Sequence, residues 1–374
     1  MTTKQLANLL AIVVRRVATE DIYLDRALRD IFKDKKVVDP NVRRALSIYA
    51  PFVFRQWNAL GGSNGDSIIS IVTKALEVST DRISNGYLLS NEPDFPEWMV
   101  KLAEQEVPNW KDELISLGNA PRRFVRANRL KITASDLLME LRGGSVLARP
   151  HGELADAIEI VGGKEIYGTR AFKEGWLEVQ DISSQQVAPF LLSSFAGRGL
   201  VIDACAGNGG KTLHIGTIMG NRGRIISMDI YPQKLEELKR RALRAGISNV
   251  ETRVVDTTKV IKRLHGKADF LLLDVPCSGT GVLRRNPEAK LRMKFEDIAN
   301  VKQQQGEILD RYSKMVKAGG VMVYATCSIL HSENRGQVDA FLSRNSEFTL
   351  EDDRAIMPSS GGDGFYIARL RMKG

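Results

Sequence analysis

From about residue 199 onward, short apolar strands alternate with helices, and this alternation constrains the fold more than any other feature of the sequence. Strands are predicted at residues 199–204, 224–229, 250–255, 268–275 and 320–325. Helical patterns are predicted at residues 209–219, 232–245, 298–316 and 337–342. Such alternation is typical of a doubly wound α/β sheet, whose ligands bind beyond the carboxyl ends of the strands. The residues at those ends are therefore the first candidates for a functional site.

A glycine-rich loop at residues 203–212 follows the first of these strands, and three kinds of nucleotide site compete to explain it. A phosphate-binding loop of the form GxxxxGK[ST] needs glycine where the chain has Cys205. A dinucleotide loop of the form GxGxxG fits Gly207 and Gly209 but requires glycine where the chain has Thr212. Both patterns fail by one residue.

The third interpretation of the loop is a site for S-adenosylmethionine. Such a site needs an acid at the end of the first strand and another after the second strand to bind ribose hydroxyls, and Asp203 and Asp229 meet this need. Asp256, after the third strand, could accept a hydrogen bond from the adenine amino group. Each acid taken alone could equally be a turn or helix cap. Three acids at three successive strand ends favour the cofactor.

Two cysteine motifs end the next two strands: DVPCSGTG at residues 274–281, containing Cys277, and ATCS at residues 325–328, containing Cys327. Their positions fit the chemistry of carbon methylation on a pyrimidine, because cytosine C5 is a poor nucleophile until a thiolate adds to C6. Cysteine suits that covalent role, since its thiolate is both nucleophilic and expellable. Either cysteine could instead be simply buried, but the presence of both motifs together favours a catalytic role.

The two motifs together resemble those of the RNA cytosine-5 methyltransferases of the Sun (Fmu/RsmB) and nucleolar-protein family. The resemblance extends to residues 175–185, to residues 124–130 and to residues 363–370, where it implies a closing strand. More loosely, the N-terminal helices resemble the antitermination-factor-like RNA-binding domain of bacterial ribosomal RNA members. The implied fold is a Rossmann-like methyltransferase domain with a seven-stranded, partly antiparallel sheet.

The resemblance also implies residue roles. Cys327 would be the nucleophile and Cys277 would assist release of the product. Asp274 would hydrogen-bond the N3 edge of cytosine, for which its carboxyl group must be protonated, a form that burial favours. Lys211 would hold the target base. The implied S-adenosylmethionine site comprises Asp203, Ala204, Cys205, Ala206, Gly207, Asn208, Gly209, Gly210, Asp229, Asp256 and Asp274.

One residue of the loop departs from the family pattern, which often has proline at the position of Asn208. Asparagine tolerates unusual backbone angles, so we expect the loop to keep its function. Cys205 has no assigned chemistry and is predicted to be a small buried hydrophobe. Arg284 and Arg285 are expected to contact RNA phosphates or to order the active-site loop, with a solvated loop as the alternative.

The charge of the chain is unevenly distributed. The net charge is +9; residues 1–120 hold 15 Lys and Arg against 16 Asp and Glu, so the whole excess lies after residue 120. A basic surface predicts a polyanion partner, and nucleic acid is the first candidate. Residues 121–131 hold five cations and no acid, which predicts a strand in contact with RNA or, alternatively, a charged edge strand.

Three domains are predicted: a helical domain at residues 1–118, a small basic α+β subdomain at 119–175 and the catalytic domain at 176–374. Three cysteines without a CxxC pair, and four scattered histidines, predict neither disulfides nor a metal site. No apolar run approaches the ~20 residues of a membrane span. We expect a cytoplasmic monomer.

The expected substrate is small-subunit ribosomal RNA, with tRNA as the nearest alternative. A non-catalytic, RNA-binding assembly factor and a small-molecule or protein methyltransferase remain as other classes.

Overall fold

The structure is a computed structural model that describes residues 2–20, 22–35 and 37–374. The chain forms two compact units, the first made of Met1–Pro121 and Gly279–Ile298 and the second of Arg122–Ser278 and Ala299–Gly374. The chain thus passes from the second unit to the first directly after Ser278. The catalytic domain is predicted as one continuous stretch, residues 176–374, and this passage of the chain between the two units is not part of that prediction. In the part of the chain that is described, no helix is long and apolar enough to cross a membrane.

The first unit is helical, as its apolar periodicity predicts. Its helices before residue 121 are α1 (Thr3–Thr19), α2 (Leu24–Asp34), α3 (Pro40–Arg55), α4 (Ile68–Leu76), α5 (Thr80–Ser84), α6 (Glu97–Glu106) and α7 (Trp110–Leu117). Helix α1 begins with a capping box between Thr2 and Gln5. Pro40 starts α3, and Pro51 lies inside the same helix. The neighbouring Phe52 is buried, so packing holds the helix together through the proline.

The small sheet of the second unit has four antiparallel strands in the order β2-β3-β1-β4. They are β1 (Arg123–Ala127), β2 (Val146–Pro150), β3 (Ala157–Gly163) and β4 (Leu177–Val179), accompanied by α8 (Ala134–Gly143) and α9 (Arg170–Lys173). Because β4 pairs with β1, the sheet continues past the predicted boundary at residue 175. The Thr133 side chain caps the start of α8.

The basic segment at residues 121–131 lies at the centre of this sheet, because β1 pairs with both β3 and β4. The alternative of a solvated edge strand is therefore wrong. Arg122 forms two hydrogen bonds of 2.7 Å with Glu159, Arg126 is buried against Gln180, and Lys131 donates to two backbone carbonyls. Most of these cations have partners within the unit, while the side chains of Arg123 and Arg129 are 50% and 57% exposed, so contact of this segment with RNA stays a prediction.

The large sheet has seven strands in the order β10-β11-β9-β8-β5-β6-β7. They are β5 (Leu200–Asp203), β6 (Arg224–Asp229), β7 (Val250–Val254), β8 (Ala268–Asp274), β9 (Val316–Thr326), β10 (Phe348–Ile356) and β11 (Phe365–Met372). The contacts β5–β6, β5–β8, β6–β7 and β8–β9 are parallel. Strand β11 runs antiparallel to both of its neighbours, which confirms the seven-stranded, partly antiparallel sheet that the resemblance implies.

Successive residues of each central strand face opposite sides of the sheet, where two helical layers bury them. On β8, Leu271 and Leu273 join one apolar cluster while Phe270 and Leu272 join another. The helices of this part of the chain are α10 (Ile182–Gln185), α11 (Val187–Leu191), α12 (Gly210–Met219), α13 (Pro232–Ala245), α14 (Thr258–Lys262), α15 (Ala289–Arg292), α16 (Phe295–Tyr312) and α17 (Arg335–Arg344). All three cysteines follow strand ends, as predicted.

The segment Gly279–Ile298, which contains α15, folds with the first unit. The Lys290 ammonium lies 2.8 Å from a carboxylate oxygen of Asp94, and these side chains are 2% and 5% exposed. The backbone N–H of Leu24 donates to Glu288 at 3.1 Å. Arg284 is buried, and its carbonyl accepts a hydrogen bond from Arg55. The expectation that Arg284 contacts RNA phosphates is therefore wrong for this structure, because its side chain lies in the interior.

Candidate active site

Parallel pairing of β8 with β9 brings the two cysteine motifs together. Asp274, the last residue of β8, lies opposite Ala325 on β9, so Cys277 and Cys327 emerge from adjacent strands. Their Sγ atoms are 3.1 Å apart, within hydrogen-bonding distance, and both cysteines are half-buried and outside any disulfide. One thiol can therefore exchange a proton with the other while both remain accessible to a substrate.

Lys211 approaches this pair of cysteines from the first turn of α12. Its Nζ lies 2.6 Å from Asp274 Oδ2 and 5.0 Å from the centre of the Phe365 ring, which starts β11. Burial alone would lower the pKa of Lys211, but the Asp274 carboxylate and the nearby Cys327 raise it above its ordinary value. The amine therefore remains a cation beside the nucleophile that the sequence predicts.

The environment of Asp274 differs from the expectation. Its side chain is 28% exposed and accepts a hydrogen bond from Lys211. Asp274 is therefore half-buried instead of fully buried, because it ends its strand at the carboxyl end of the sheet, where it pairs with Lys211.

The glycine loop turns between β5 and α12 with left-handed backbone at two residues. Gly207 has a φ of 52° and Gly209 a φ of 85°, and a Cβ at Gly209 would lie 2.5 Å from the Leu238 side chain. The Asp229 carboxylate accepts hydrogen bonds from the backbone N–H groups of Gly207 and Tyr231, at 2.8 and 2.9 Å. These contacts fix the loop against the end of β6.

Asp203 supports the loop from beneath, where it is almost fully buried. One of its carboxylate oxygens accepts a hydrogen bond of 2.6 Å from Thr212, and the other, Oδ1, has no hydrogen-bond partner. Burial raises the pKa of Asp203 to about 7, although the Thr212 hydrogen bond lowers it in part. Asp203 is thus a buried acid that can be protonated near neutral pH.

The residues around the loop fit S-adenosylmethionine. The open space beside Gly207 and Gly210 and the exposed Ile230 and Tyr231 beyond β6 leave surface for a nucleoside, and the unpartnered oxygen of Asp203 is buried beneath the loop. When bound, the cofactor supplies an electrophilic methyl group. Asp256 is exposed two residues after β7, where it is accessible to a ligand.

Cys205, the third cysteine, lies in the same loop. Burial, assisted by the neighbouring Asp203, raises the pKa of its thiol well above the ordinary value. A thiol that resists ionisation is a poor nucleophile. Cys205 was predicted to be a small buried hydrophobe, and it is half-buried. Within the described residues, no group of three or more His, Cys, Asp or Glu side chains could hold a metal ion.

Four residues that pack around the cysteine motifs are not predicted from the sequence. Phe365 faces Lys211, and Gln305 of α16 donates to the carbonyl of Pro276. Glu333 and Asn334, in the turn before α17, bind the serines and threonine of the two motifs. The only sequence signal for Glu333 and Asn334 is that a charged and a polar residue stand together shortly after the ATCS motif.

The strand order, the acids at the ends of β5 and β6 and the glycine loop define the class: a Rossmann-like methyltransferase domain whose cofactor is S-adenosylmethionine. A family model described as "16S rRNA methyltransferase RsmB/F" matches residues 194–371. This part of the chain is thus similar in sequence to the RsmB/F methyltransferase family.

Curated relatives agree with this assignment. "Ribosomal RNA small subunit methyltransferase B" of Serratia proteamaculans is 35% identical over 288 residues, covering 74% of this chain and 66% of the relative. The protein of the same name from Salmonella newport is 33% identical over 293 residues, with the same coverages. The match spans just under two thirds of the length of these relatives.

Solved structures share the fold. The crystal structure of PH0851 has a TM-score of 0.81 at 23% identity and covers 98% of both chains. NSun6 from Pyrococcus horikoshii has a TM-score of 0.68 at 20% identity, covering 75% of this chain and 99% of its own. The likeness to PH0851 extends over nearly the whole chain.

Proposed function

We propose that this protein methylates C5 of a cytosine in RNA, using Cys327 as a covalent nucleophile. The observation that carries the proposal is the pair of thiols 3.1 Å apart, beside the Lys211–Asp274 ion pair. A methyltransferase that modifies nitrogen or oxygen has no need of two cysteines at adjacent strand ends. Carbon methylation of a pyrimidine needs one thiolate to add and a base to complete the reaction.

The proposed sequence begins when the Cys327 thiolate forms a bond to C6 of the cytosine. The Lys211–Asp274 pair holds the N3 edge and supplies a proton there, so the addition does not leave negative charge on the ring. C5 then carries the electron pair that takes the methyl group. Cys277, as a thiolate, removes the C5 proton, the C5–C6 double bond re-forms, Cys327 leaves as a thiolate, and the N3 proton returns to the Lys211–Asp274 pair.

The proposed substrate is small-subunit ribosomal RNA, the RNA in the names of the curated relatives. The positive charge of the chain lies after residue 120, and this favours a polyanionic substrate. The cytosine has to leave its stack to reach Cys327, because a stacked base does not expose its C6 face, and we therefore expect the target in a loop or single strand.

Methyl transfer from labelled S-adenosylmethionine tests the proposal with three proteins: wild type, Cys327→Ala and Cys277→Ala. We expect label in 5-methylcytosine of unmodified ribosomal RNA with wild type, none with Cys327→Ala, and an RNA adduct that survives denaturing electrophoresis with Cys277→Ala. Activity retained by Cys327→Ala would overturn the assignment of the nucleophile.

The choice of RNA separates the remaining alternatives. Transfer to tRNA alone would replace the ribosomal substrate. Salt-sensitive RNA binding without any transfer, and unchanged by Cys327→Ala, would indicate an assembly factor instead of an enzyme.

A further inference from the structure

A single buried carboxylate connects the two cysteine motifs. Glu333, in the short 3₁₀ turn His331–Glu333, has a side chain fully removed from solvent. Its Oε1 accepts hydrogen bonds from the hydroxyls of Ser278 and Ser328, at 2.5 and 2.7 Å. Ser278 directly follows Cys277 and Ser328 directly follows Cys327, so one oxygen atom holds the residue after each cysteine.

The second oxygen of Glu333 adds two more contacts. Oε2 accepts the backbone N–H of Ser278 at 2.8 Å and the side-chain amide of Gln305 at 2.9 Å. Gln305 in turn donates to the carbonyl of Pro276, the residue before Cys277. The loop that carries Cys277 is therefore held on both sides of the cysteine by contacts that meet at Glu333.

The loop that carries Cys327 has an additional anchor. The Asn334 side chain accepts a hydrogen bond from the Thr326 hydroxyl at 2.5 Å and donates to the Ser328 carbonyl at 2.9 Å. Asn334 thus spans the residues on either side of Cys327. The Cys327 loop retains this clamp when Glu333 is changed, whereas the Cys277 loop loses its contacts with both oxygens of Glu333.

We propose that Glu333 is a positioning residue that sets the separation of the two thiols, and so couples release of the methylated base to formation of the adduct. All four donors to its carboxylate are neutral groups: a backbone N–H, two hydroxyls and an amide. In Glu333→Gln, an NH₂ group replaces one of the two acceptor oxygens and faces the donors that this oxygen bound. Two buried donors that face each other lose a large part of the free energy of a hydrogen bond. The proposal rests on the proposed function for its catalytic consequence, but its geometric part does not.

The geometric part is tested without RNA, by the rate at which diamide oxidises Cys277 and Cys327 to a disulfide. Each thiol gives up one proton and one electron, the S–S bond forms, and the diazene of diamide is reduced to a hydrazine. We expect Glu333→Gln to slow this oxidation about tenfold, because the thiols no longer rest within bonding reach. Glu159→Gln, a change at a comparably buried carboxylate in the small sheet, is expected to leave the rate at the wild-type value.

The catalytic part is tested with S-adenosylmethionine and ribosomal RNA. We expect Glu333→Gln to lower kcat about tenfold, to leave KM for the cofactor within about twofold, and to accumulate the RNA adduct that wild type does not accumulate. Ser278→Ala, which removes one donor from the Cys277 side, should show the same pattern in weaker form and keeps the test valid if Glu333→Gln does not fold. Glu333→Asp, which restores the charge one methylene shorter, should recover part of the rate.

The two proposals fail in different ways. If Cys277→Ala traps no adduct, the proposed function fails, while the diamide rates still decide the positioning role. If Cys277→Ala traps an adduct but Glu333→Gln oxidises and turns over as wild type does, the role of Glu333 is overturned. A uniform loss of stability in Glu333→Gln, with the ratio of adduct to product unchanged, would also overturn it, since that is the result of a merely structural residue.

Discussion

The ammonium of Lys211 lies 2.6 Å from the carboxylate of Asp274, so the end of β8 holds a charge pair next to the thiols. Without Lys211, Asp274 would face the Cys327 thiolate as an unpaired anion. We expect Lys211→Met to slow adduct formation about 100-fold or more, as loss of an acid–base group does. Single-turnover adduct formation measures this, and Lys373→Met, a change at an exposed lysine, serves as the control. A rate within twofold of wild type would remove Lys211 from the mechanism.

Asp203 makes the stability of the protein depend on pH. Burial raises its pKa to about 7, from an unfolded value of about 3.9, although its hydrogen bond with Thr212 lowers it in part. Between these values the folded state holds a proton that the unfolded state releases, so the contribution of Asp203 is full below about pH 4 and is lost as pH rises through 7.

We therefore expect Asp203→Asn, which cannot ionise, to gain melting temperature relative to wild type when the pH is raised from 5 to 8. Thermal unfolding at the two pH values measures the effect. The exposed change Asp352→Asn is the matched control and should show no such gain. An equal difference from wild type at both pH values would show that the buried acid does not titrate in this range.

The glycine loop depends on Gly209 for two reasons. Its φ of 85° is unfavourable for any residue with a Cβ, and that Cβ would press on Leu238. Gly207 shares the positive φ but has open space beside it. We expect Gly209→Ala to destabilise the protein by about 1–3 kcal/mol more than Gly207→Ala. Denaturant unfolding of both variants tests this, and equal losses would show that Leu238 gives way without cost.

The sequence predicts the large sheet well because each strand has a recognisable pattern in its own local sequence. The bounds predicted for β6 and α13 match the structure, since apolar runs and flanking proline or glycine fix them without reference to distant residues. The meeting of Cys277 with Cys327 also follows, because parallel strands end at one edge of a sheet.

Contacts between distant residues were not predictable in the same way. Glu333 reaches Ser278 across 55 residues, and Lys290 reaches Asp94 across 196, and neither pair has a local pattern. Whether β1 is central or at an edge depends on β3 and β4, so the burial of Arg126 could not be predicted, whereas Arg123 is exposed as expected. From the sequence alone, Glu333 could be interpreted only as a charged residue in a turn.

The buried pair of Lys290 and Asp94 fixes the segment Gly279–Ile298 within the helical unit. Besides the carboxylate, the Lys290 ammonium donates to the backbone carbonyls of Arg55 and Asp94, and it lies 4.8 Å from the Phe95 ring centre. Removing one partner leaves the other charge buried and unpaired, which typically costs about 3–5 kcal/mol. We expect Lys290→Met to lower the free energy of unfolding by about that amount, whereas Lys294→Met, four residues along at an exposed site, should change it by less than about 0.5 kcal/mol. Urea unfolding of the two variants compares them directly. A Lys290→Met protein as stable as wild type would mean that the attraction between Lys290 and Asp94 only offsets the free energy needed to desolvate the two charges. Apolar packing alone would then hold the segment in place.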